Sequence, residues 1–354
     1  RKPAFSKGTD MAIETITGEL SGPDVWNGPE LQNDDNWIVR LDAGDIAEID
    51  AALAAVKAAG LSVPFAASAF PLPGFAAKID DIVARVSHGR GFALVRGLPR
   101  DRYSADDCAL IYWGIGIHIG TPVSQNARGH LLGHVRDEGL LLSDMEARPY
   151  QTASQMDFHC DLLPVDVLGL FCVNTAKSGG ESYIVSALAV HNVILRERPD
   201  FLEALYKPFN IDWHGEEPAG SQPWYTMPMF SARDGLVSSR VTSRRFIHAV
   251  TRHGEQLAAS PLQLAAIEFA QEVSNRPELR LSMMFQPGDM QFINNLTTLH
   301  ARSGFEDFEE EERRRHLLRM WIALPDAKRR RLSPLLDERY SWVERGGIPL
   351  KHAA

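Results

Sequence analysis

The order of hydrophobic patterns along the chain restricts the fold more than any other feature. From 45 to 118 the apolar residues recur at helical spacing, and from about 150 to 324 they form short runs broken by glycine and proline. Helices followed by many short strands are typical of an α+β protein with a mainly β core and helices outside it. The pattern therefore predicts a β-sandwich or jelly roll with inserted and flanking helices.

Individual segments make this prediction specific. Ser104 and the Ser260-Pro-Leu-Gln263 capping box each mark the start of a helix. Apolar residues at helical spacing predict helices at 45–59, 77–87, 104–117, 187–196 and 199–205. Short apolar runs predict strands at 91–96, 165–173, 182–185, 279–285, 290–293 and 316–324.

The domain organisation predicted from the sequence is simple. Residues 1–10 precede Met11 and are expected to be a leader outside the fold, so that 11–354 form a single domain. Within it we expect the helical N-terminal part, a core at about 150–324 with inserted helices and a lid, and a C-terminal tail at 325–354. No clear linker separates these parts.

Composition limits the partners and the compartment. The net charge is −9, which argues against nucleic acid or an anionic membrane as a partner. The chain has three cysteines without a CxxC spacing, which favours a reducing compartment. We therefore expect a cytoplasmic protein that acts on a small molecule.

The stretch Met156-Asp-Phe-His-Cys-Asp-Leu162 places a histidine and a carboxylate two residues apart in a segment with a strand pattern. Side chains alternate along a strand, so His159 and Asp161 are expected on one face and Cys160 on the other. Two histidines and one carboxylate form the facial triad of non-haem iron(II) oxygenases. A lone His-x-Asp is common by chance, so a surface or core histidine beside an aspartate remains an alternative.

A second region supplies the best candidate for the third ligand. In Pro287-Gly-Asp-Met-Gln-Phe-Ile-Asn-Asn-Leu-Thr-Thr-Leu-His300, a strand pattern ends in a polar bend that delivers His300. Three protein ligands would leave three positions of an octahedral ion open for a co-substrate and oxygen.

Two arginines interrupt the apolar strand that follows. Alternation places Arg315 and Arg319 on the face that also carries Trp321. A buried charge without its partner costs about 3–5 kcal/mol, so these arginines are expected to meet anions. Guanidinium groups bind carboxylates through two hydrogen bonds, which favours a carboxylate clamp. Internal salt bridges to Asp289 or Glu181 are the alternative.

Taken together and in this order, four motifs resemble the taurine dioxygenase (TauD/TfdA) family of iron(II)- and 2-oxoglutarate-dependent oxygenases. The motifs are FHCD, SGGESYIVS, PGDMQFINNLTTLHAR and RHLLRMWIAL, and the similarity covers roughly Phe92 to Leu324. Each motif alone is unspecific. The resemblance implies a cupin-like double-stranded β-helix, with iron(II) as cofactor and 2-oxoglutarate and O2 as co-substrates.

The resemblance also implies roles for individual residues. The implied iron ligands are His159, Asp161 and His300. Arg315 would hold the distal carboxylate of 2-oxoglutarate, and Ser182 stands where members often have a threonine that contacts the same co-substrate. Arg319 matches a position near the C1 carboxylate or an anionic substrate group. The glutamate-rich stretch before Arg315 leaves Arg314 as an alternative clamp, although the face shared with Arg319 favours Arg315.

The substrate side is less specific in sequence. Ser124, Gln125 and Asn126 lie in a polar segment before the metal strand and are expected near the substrate, with simple loop hydrogen bonding as the alternative. The region 213–230 combines aromatic residues with glycine and proline breaks and is predicted to be a lid. Arg245 and His248 are expected at the surface rather than in the site.

Three further side chains receive structural expectations. His191 and His316 are expected to be structural, with His316 on the strand face opposite Arg315. Arg302, shortly after His300, is expected to pair with Asp307 or with an acidic group of the substrate.

These features lead to a hypothesis for the function. The resemblance implies oxidation, usually hydroxylation, of an unactivated C–H bond with release of succinate and CO2, and Arg319 suggests a small anionic or amino-acid-like substrate. The alternatives are a non-catalytic metal-binding jelly-roll module and an oxygen-independent metal hydrolase or isomerase on a cupin-like barrel. A homo-oligomer is compatible with the resemblance.

Overall fold

The computed structural model describes residues 14–141, 147–161, 165–334, 336 and 346–350. The leader expected at 1–10 and part of the tail expected at 325–354 lie outside these residues. In chain order the described helices are α1 (Gly28–Gln32), α2 (Ala43–Ala58), α3 (Ala76–Ser87), α4 (Ala105–Ile119), α5 (Ala187–Glu197), α6 (Pro199–Tyr206), α7 (Arg244–Ala249) and α8 (Pro261–Asn275).

The strands alternate with these helices. The described strands are β1 (Ile38–Arg40), β2 (Phe92–Arg96), β3 (Thr121–Val123), β4 (Leu132–Val135), β5 (Met156–His159), β6 (Val167–Asn174), β7 (Ser178–Gly179), β8 (Ser182–Ser186), β9 (Phe209–Asp212), β10 (Trp224–Met227), β11 (Phe230–Arg233), β12 (Leu236–Ser239), β13 (Leu281–Met283), β14 (Met290–Asn294), β15 (Thr298–Arg302), β16 (Phe305–Glu306) and β17 (His316–Ala323).

Capping explains why several helices begin where they do. Ser104 accepts a hydrogen bond from the Asp107 amide before α4, and Asp107 accepts one from the Ser104 amide in return. Ser260 and Gln263 form the same reciprocal box before α8, where Pro261 is the first helical residue. Each box satisfies amides that have no partner within the helix. Both helix starts predicted from the sequence are confirmed.

Two sheets form the core. The larger sheet has the strand order β1-β2-β14-β6-β17-β3, and β4 also pairs with β17. The smaller sheet has the order β13-β8-β15-β5. The two faces of the larger sheet belong to different apolar clusters, of which one includes α2, α3 and α4 and the other includes the smaller sheet. The mainly β core with flanking helices that the sequence predicts is therefore observed.

Strand β17 shows the division between the two clusters within one element. Leu318 and Met320 are buried in the cluster that contains the helices, whereas Leu317 and Trp321 are buried in the cluster between the sheets. This is the alternation predicted from the sequence. Because Arg319 lies between Leu318 and Met320, it faces the space between the sheets.

No helix among the residues that the structure describes is both long enough and apolar enough to span a lipid bilayer.

Candidate active site

The two histidines of the candidate metal site lie on adjacent strands. His300 on β15 is the direct antiparallel partner of His159 at the end of β5, and their ring centroids are 4.1 Å apart. The Nε2 atoms of His159 and His300 lie 3.8 and 3.9 Å from Oδ1 of Asp161. One potential ligand atom from each residue falls within 4.8 Å of the others. These three side chains can therefore converge on one metal ion.

Two details differ from the sequence prediction. Strand β5 ends at His159, so Cys160 and Asp161 follow the strand rather than belong to it. Cys160 is nevertheless buried away from the triad, because its thiol donates to the carbonyl of Ser239 at 3.4 Å. His300 lies within a strand and not in a polar bend, because pairing with both β5 and β8 overrides the local polar sequence.

The two oxygens of the Asp161 carboxylate have different neighbours. Oδ1 is the atom near both imidazoles, whereas Oδ2 accepts a hydrogen bond from the indole N–H of Trp321 and lies 3.9 Å from Nη1 of Arg319. The Asp161 amide donates to Oδ1 of Asn295 at 2.9 Å. The backbone and Oδ2 are thus fixed, which leaves Oδ1 to face a metal ion.

The protonation states match those of metal ligands. Burial raises the pKa of Asp161, but Arg319 and the two imidazoles outweigh it and lower the pKa overall. Burial, followed by the proximity of His159, lowers the pKa of His300 to about 3. A carboxylate and a neutral imidazole are the forms that bind metals. Nδ1 of His159 lies 2.7 Å from the carbonyl oxygen of Asp157, which leaves Nε2 to face Asp161.

An inner cavity of about 50 Å³ adjoins the triad between the two sheets. The residues with polar side-chain groups that line it beside the triad are Tyr150, Ser182, Arg302, Arg315 and Arg319. Arg315 is only 5% exposed, and its Nη1 has no hydrogen-bond partner among the described residues. Burial lowers the pKa of Arg315 to about 10, so the guanidinium remains charged at neutral pH.

The internal salt bridges considered as an alternative for Arg315 are absent from the described part of the chain. Asp289 forms a two-point ion pair with Arg96, with distances of 2.9 and 2.6 Å. Glu181 accepts a hydrogen bond from the hydroxyl of Tyr183 at 2.6 Å. Both carboxylates already have partners, so the charge of Arg315 is left facing the inner cavity.

Arg314 occupies a different environment from Arg315. It is exposed and donates to the carbonyls of Phe308 and Glu309 at 3.2 and 3.0 Å. Both arginines line an open cleft that does not include the triad, but of the two Arg315 also lines the inner cavity together with the triad. The geometry therefore favours Arg315 as a carboxylate clamp.

Arg302 does not make the ion pair expected from the sequence. The carboxylate of Asp307 accepts the backbone amide of Arg315 at 2.7 Å, while Arg302 donates to the carbonyls of Thr152 and Ser154. Burial, followed by the charge of Arg315, lowers the pKa of Arg302 to about 9. Its place beside the triad could have been inferred from its spacing to His300 if β15 had been recognised.

An outer cavity of about 500 Å³ adjoins His159 and Asp161. It shares Tyr150, Met156, His159, Asp161 and Arg319 with the inner cavity, whereas His300 lines the inner one. Its remaining lining residues are Gln125, Asn126, Arg148, Pro149, Gln155, Asp157, Glu216, Ser243, Arg244, Arg245, Phe246, His248, Trp321 and Ile348. Arg245 and His248 therefore line this cavity, which the sequence did not predict.

The three polar residues predicted near the substrate differ in their contacts. Gln125 and Asn126 line the outer cavity, whereas the hydroxyl of Ser124 donates to the Asn126 carbonyl at 2.7 Å. The Gln125 side chain is committed to Arg319, because Oε1 accepts from its Nε at 2.7 Å and Nε2 donates to its carbonyl at 2.8 Å. Gln125 thus fixes the position of Arg319 rather than offering a free amide.

The predicted lid is more regular than its sequence suggests. Strand β10 lies within it and pairs with β9, and Trp213 is buried. From this region Glu216 lines the outer cavity. Its carboxylate accepts from the Ala127 amide at 2.6 Å and from Arg148 at 3.4 Å. Glu216 therefore connects three segments of the cavity wall.

The two histidines expected to be structural lie away from the triad. His191 is fully buried, with Nε2 3.0 Å from the hydroxyl of Tyr206. His316 pairs with His134, with 2.8 Å between Nε2 and Nδ1.

The donor set fits an iron(II) ion with a carboxylate-bearing co-substrate. Two imidazoles and one carboxylate are the protein ligands of the facial triad and leave open coordination positions. The buried Nη1 of Arg315, which has no partner among the described residues, can donate a hydrogen bond to a carboxylate in the inner cavity.

Comparisons with known proteins agree with this geometry. Residues 57–321 match the family described as "Taurine catabolism dioxygenase TauD, TfdA family". The chain is 32% identical to FR-33289 synthase of Streptomyces rubellomurinus, over 89% of this chain and 94% of the relative. It is 29% identical to taurine hydroxylase-like protein SAT17 of Stachybotrys chartarum, over 91% and 84% of the two chains.

Solved structures show the same fold at low identity. An asparagine oxygenase in complex with Fe(II), 2S,3S-3-hydroxyasparagine and succinate has a TM-score of 0.60 at 16% identity, and the match covers 81% of this chain and 93% of that one. The non-haem iron oxygenase OrfP with Fe and alpha-ketoglutaric acid has a TM-score of 0.56 at 14% identity, with coverage of 84% and 100%.

Proposed function

The chain belongs to the TauD/TfdA family and is an iron- and 2-oxoglutarate-dependent dioxygenase, and from this premise we propose that it hydroxylates an unactivated C–H bond of a small anionic or amino-acid-like substrate. The observation that carries the proposal is the position of His159 and Asp161 on the wall that two cavities share. One cavity is small and lined by buried arginines, and the other is ten times larger and open. This arrangement suits a co-substrate and a substrate that reach the metal from different sides.

The proposed roles follow from these cavities. His159, Asp161 and His300 bind the iron. Arg315 binds the distal carboxylate of 2-oxoglutarate, with Ser182 beside it. Arg319 lines both cavities and contacts Asp161 and Gln125, so it is suited to the C1 carboxylate of the co-substrate or to an anionic group of the substrate.

Iron and 2-oxoglutarate, when bound, supply the oxidising chemistry: one atom of O2 enters the substrate, the other enters succinate, and CO2 is released. The chain supplies position and exclusion. Trp321 and the backbone contacts of Asp161 orient the carboxylate ligand. The β17 face that carries Leu317 and Trp321 is buried between the sheets, which limits the access of water to the inner cavity.

The substrate class is proposed from the outer cavity and from the relatives. The cavity wall carries both signs of charge, with Arg244 and Arg245 near Asp157 and Glu216. The names of similar proteins refer to taurine and to asparagine, which are small zwitterions with one ammonium group and one anionic group. A small substrate with an anionic group is consistent with both observations.

The finer architectural predictions belong to the same proposal. The two facing sheets support a double-stranded β-helix at about 150–324 within a single domain. The lid is proposed to consist of the segment around Glu216 together with β10. Cytoplasmic location and a homo-oligomeric state stay predictions.

Two measurements test the proposal. Anaerobic addition of iron(II) and 2-oxoglutarate to the protein is expected to produce a visible charge-transfer band, and a protein without such a band would contradict the assigned co-substrate site. A screen of small amino acids, carboxylates and sulfonates is expected to identify a compound that triggers oxygen-dependent succinate release. Turnover that continues without oxygen would rule out the proposed reaction.

A further inference from the structure

Arg302 occupies a position on β15 that faces the inner cavity. Its direct partner on β8 is Ser182, and His300, two residues earlier, opposes Ile184. Side chains of directly opposed residues begin about 4.5–5.5 Å apart, so Arg302 and Ser182 stand side by side on the cavity wall. Both line the cavity together with Arg315.

No ion pair neutralises Arg302 within the described residues. The side chain is 5% exposed, and its guanidinium donates only to carbonyl oxygens: those of Thr152 at 2.9 Å, Ser154, and Ser303 at 3.2 Å. Nη1 is buried and has no hydrogen-bond partner in this part of the chain. Carbonyl groups satisfy individual donors but do not cancel a full positive charge.

Arg315 has the same unusual environment close by. The guanidinium carbons of Arg302 and Arg315 lie 4.6 and 5.1 Å from the ring centroid of Phe305. Nη1 of Arg315 is also buried without a partner among the described residues. Asp307 is a nearby carboxylate, but it accepts the Arg315 amide and forms no ion pair with either described guanidinium. Two buried like charges are unfavourable unless an anion lies between them.

We propose that Arg302 is a second guanidinium of the co-substrate site and binds the distal carboxylate of 2-oxoglutarate together with Arg315. The inference rests on the proposed binding of that carboxylate at Arg315. A carboxylate has two oxygens, so it can accept hydrogen bonds from Nη1 of each arginine and from the hydroxyl of Ser182. Such a site discriminates strongly against 2-oxo acids that lack a second carboxylate.

The test uses two ligands that differ only in that group. 2-Oxopentanoate has the same metal-binding end as 2-oxoglutarate and carries a methyl group in place of the distal carboxylate. Dissociation constants of both are measured by the charge-transfer band of the anaerobic, iron(II)-loaded protein. For Arg302→Gln we expect the Kd of 2-oxoglutarate to rise roughly 10- to 100-fold, the effect of one hydrogen bond to a charged group. The Kd of 2-oxopentanoate should change less than about twofold by the same reasoning, because the metal-binding end is untouched.

A matched control and a second variant keep the result interpretable. Arg314→Gln removes an exposed arginine and should leave both constants unchanged. If Arg302 only anchors the carbonyls of Thr152 and Ser154, Arg302→Gln will weaken both ligands equally or neither, and either result overturns the inference. If Arg302→Gln does not fold, Arg302→Met, which also removes the charge, is measured in the same way. A selective rise in the Kd of 2-oxoglutarate supports the inference, and an equal change or no change for both ligands overturns it.

Failure of the underlying proposal would look different. A wild-type protein that binds the two ligands equally well would contradict the carboxylate site at Arg315 itself. A wild-type preference for 2-oxoglutarate that survives unchanged in Arg302→Gln would contradict only the role of Arg302.

Discussion

The inner and outer cavities meet at His159 and Asp161, but most of their other lining residues come from different parts of the chain. The inner cavity takes Ser182 from β8 and Arg302 from β15, both central strands of the smaller sheet. The outer cavity takes Arg148 and Glu216 from connections between strands, and Arg245 from the short helix α7. Under the proposed function, most groups that bind the co-substrate lie on the sheets, while groups near the substrate lie on the connections.

The two cavities also differ in how their charges are compensated. In the inner cavity, Arg302 and Arg315 form no ion pairs within the described residues. In the outer cavity, Arg148 approaches Glu216 at 3.4 Å, and Arg244 pairs with Glu268. The inner cavity is therefore suited to an anion, whereas the outer one is partly compensated by the protein and suits a substrate with charges of both signs.

The largest expected effect comes from the triad, of which His159 and Asp161 line both cavities. His300→Ala or His159→Ala should abolish the charge-transfer band and lower oxygen-dependent succinate formation by at least about 1,000-fold, because two ligands cannot hold the ion in this geometry. The measurements are anaerobic absorption and succinate release. The control is His88→Ala, which changes a histidine outside the described cavities. Activity that survives His300→Ala would place the metal elsewhere.

A smaller effect is expected for the inner cavity, where a substitution should change the binding of 2-oxoglutarate alone. Arg315→Ala removes the buried partner of a carboxylate and should raise KM for 2-oxoglutarate about 100-fold, consistent with a loss of roughly 2–5 kcal/mol for a buried charge pair. The substrate KM should stay nearly constant when 2-oxoglutarate is saturating. The exposed neighbour provides the comparison, since Arg314→Ala should change neither constant. The opposite pattern would assign the clamp to Arg314.

An effect of intermediate size is expected from the hydrogen bond that Trp321 donates to Asp161, a residue that lines both cavities. Trp321→Phe keeps most of the packing and removes the donor, so iron(II) affinity should fall about tenfold, at the lower end of the effect of losing an outer hydrogen bond to a metal ligand. Iron(II) titration measures it directly. Trp224→Phe in β10 is a matched control of the same size. Unchanged affinity in Trp321→Phe would show that packing alone orients Asp161.

The smallest expected effect concerns the outer cavity and should change the substrate KM alone. Gln125→Ala releases Arg319 from its side-chain contact and should raise the substrate KM roughly threefold to tenfold, the effect of one lost hydrogen bond to a charged group that partly finds water instead. Steady-state kinetics with the substrate identified by the screen measures it. If the KM for 2-oxoglutarate rises instead, Arg319 serves the co-substrate rather than the substrate.

Local sequence patterns were sufficient for much of the fold and of the inner site. Helices such as α4 and α8 were predictable because their capping boxes and apolar spacing are contained in adjacent residues. The faces of β17 followed from simple alternation, and they placed Arg315 and Arg319 correctly relative to Leu318. In these segments local preference and tertiary packing favour the same structure.

The features that could not be predicted depend on residues far apart in the chain. Strand β15 begins in a polar segment that resembles a bend, and its conformation is set by pairing with β5 and β8. The position of Arg302 in the cavity depends on that pairing. The approach of α7 to the triad, which brings Arg245 into the outer cavity, has no periodic signal in sequence because it depends on how separate segments pack together.

The carboxylate of Glu216 has a practical consequence for altering the enzyme. Because it bonds to the Ala127 amide and to Arg148, the segments around these three residues form one interdependent unit. A segment transplanted alone from a relative would lose these contacts, whereas the three segments exchanged together would bring their own. Engineering of substrate selectivity should therefore exchange these three segments together and leave the two sheets unchanged.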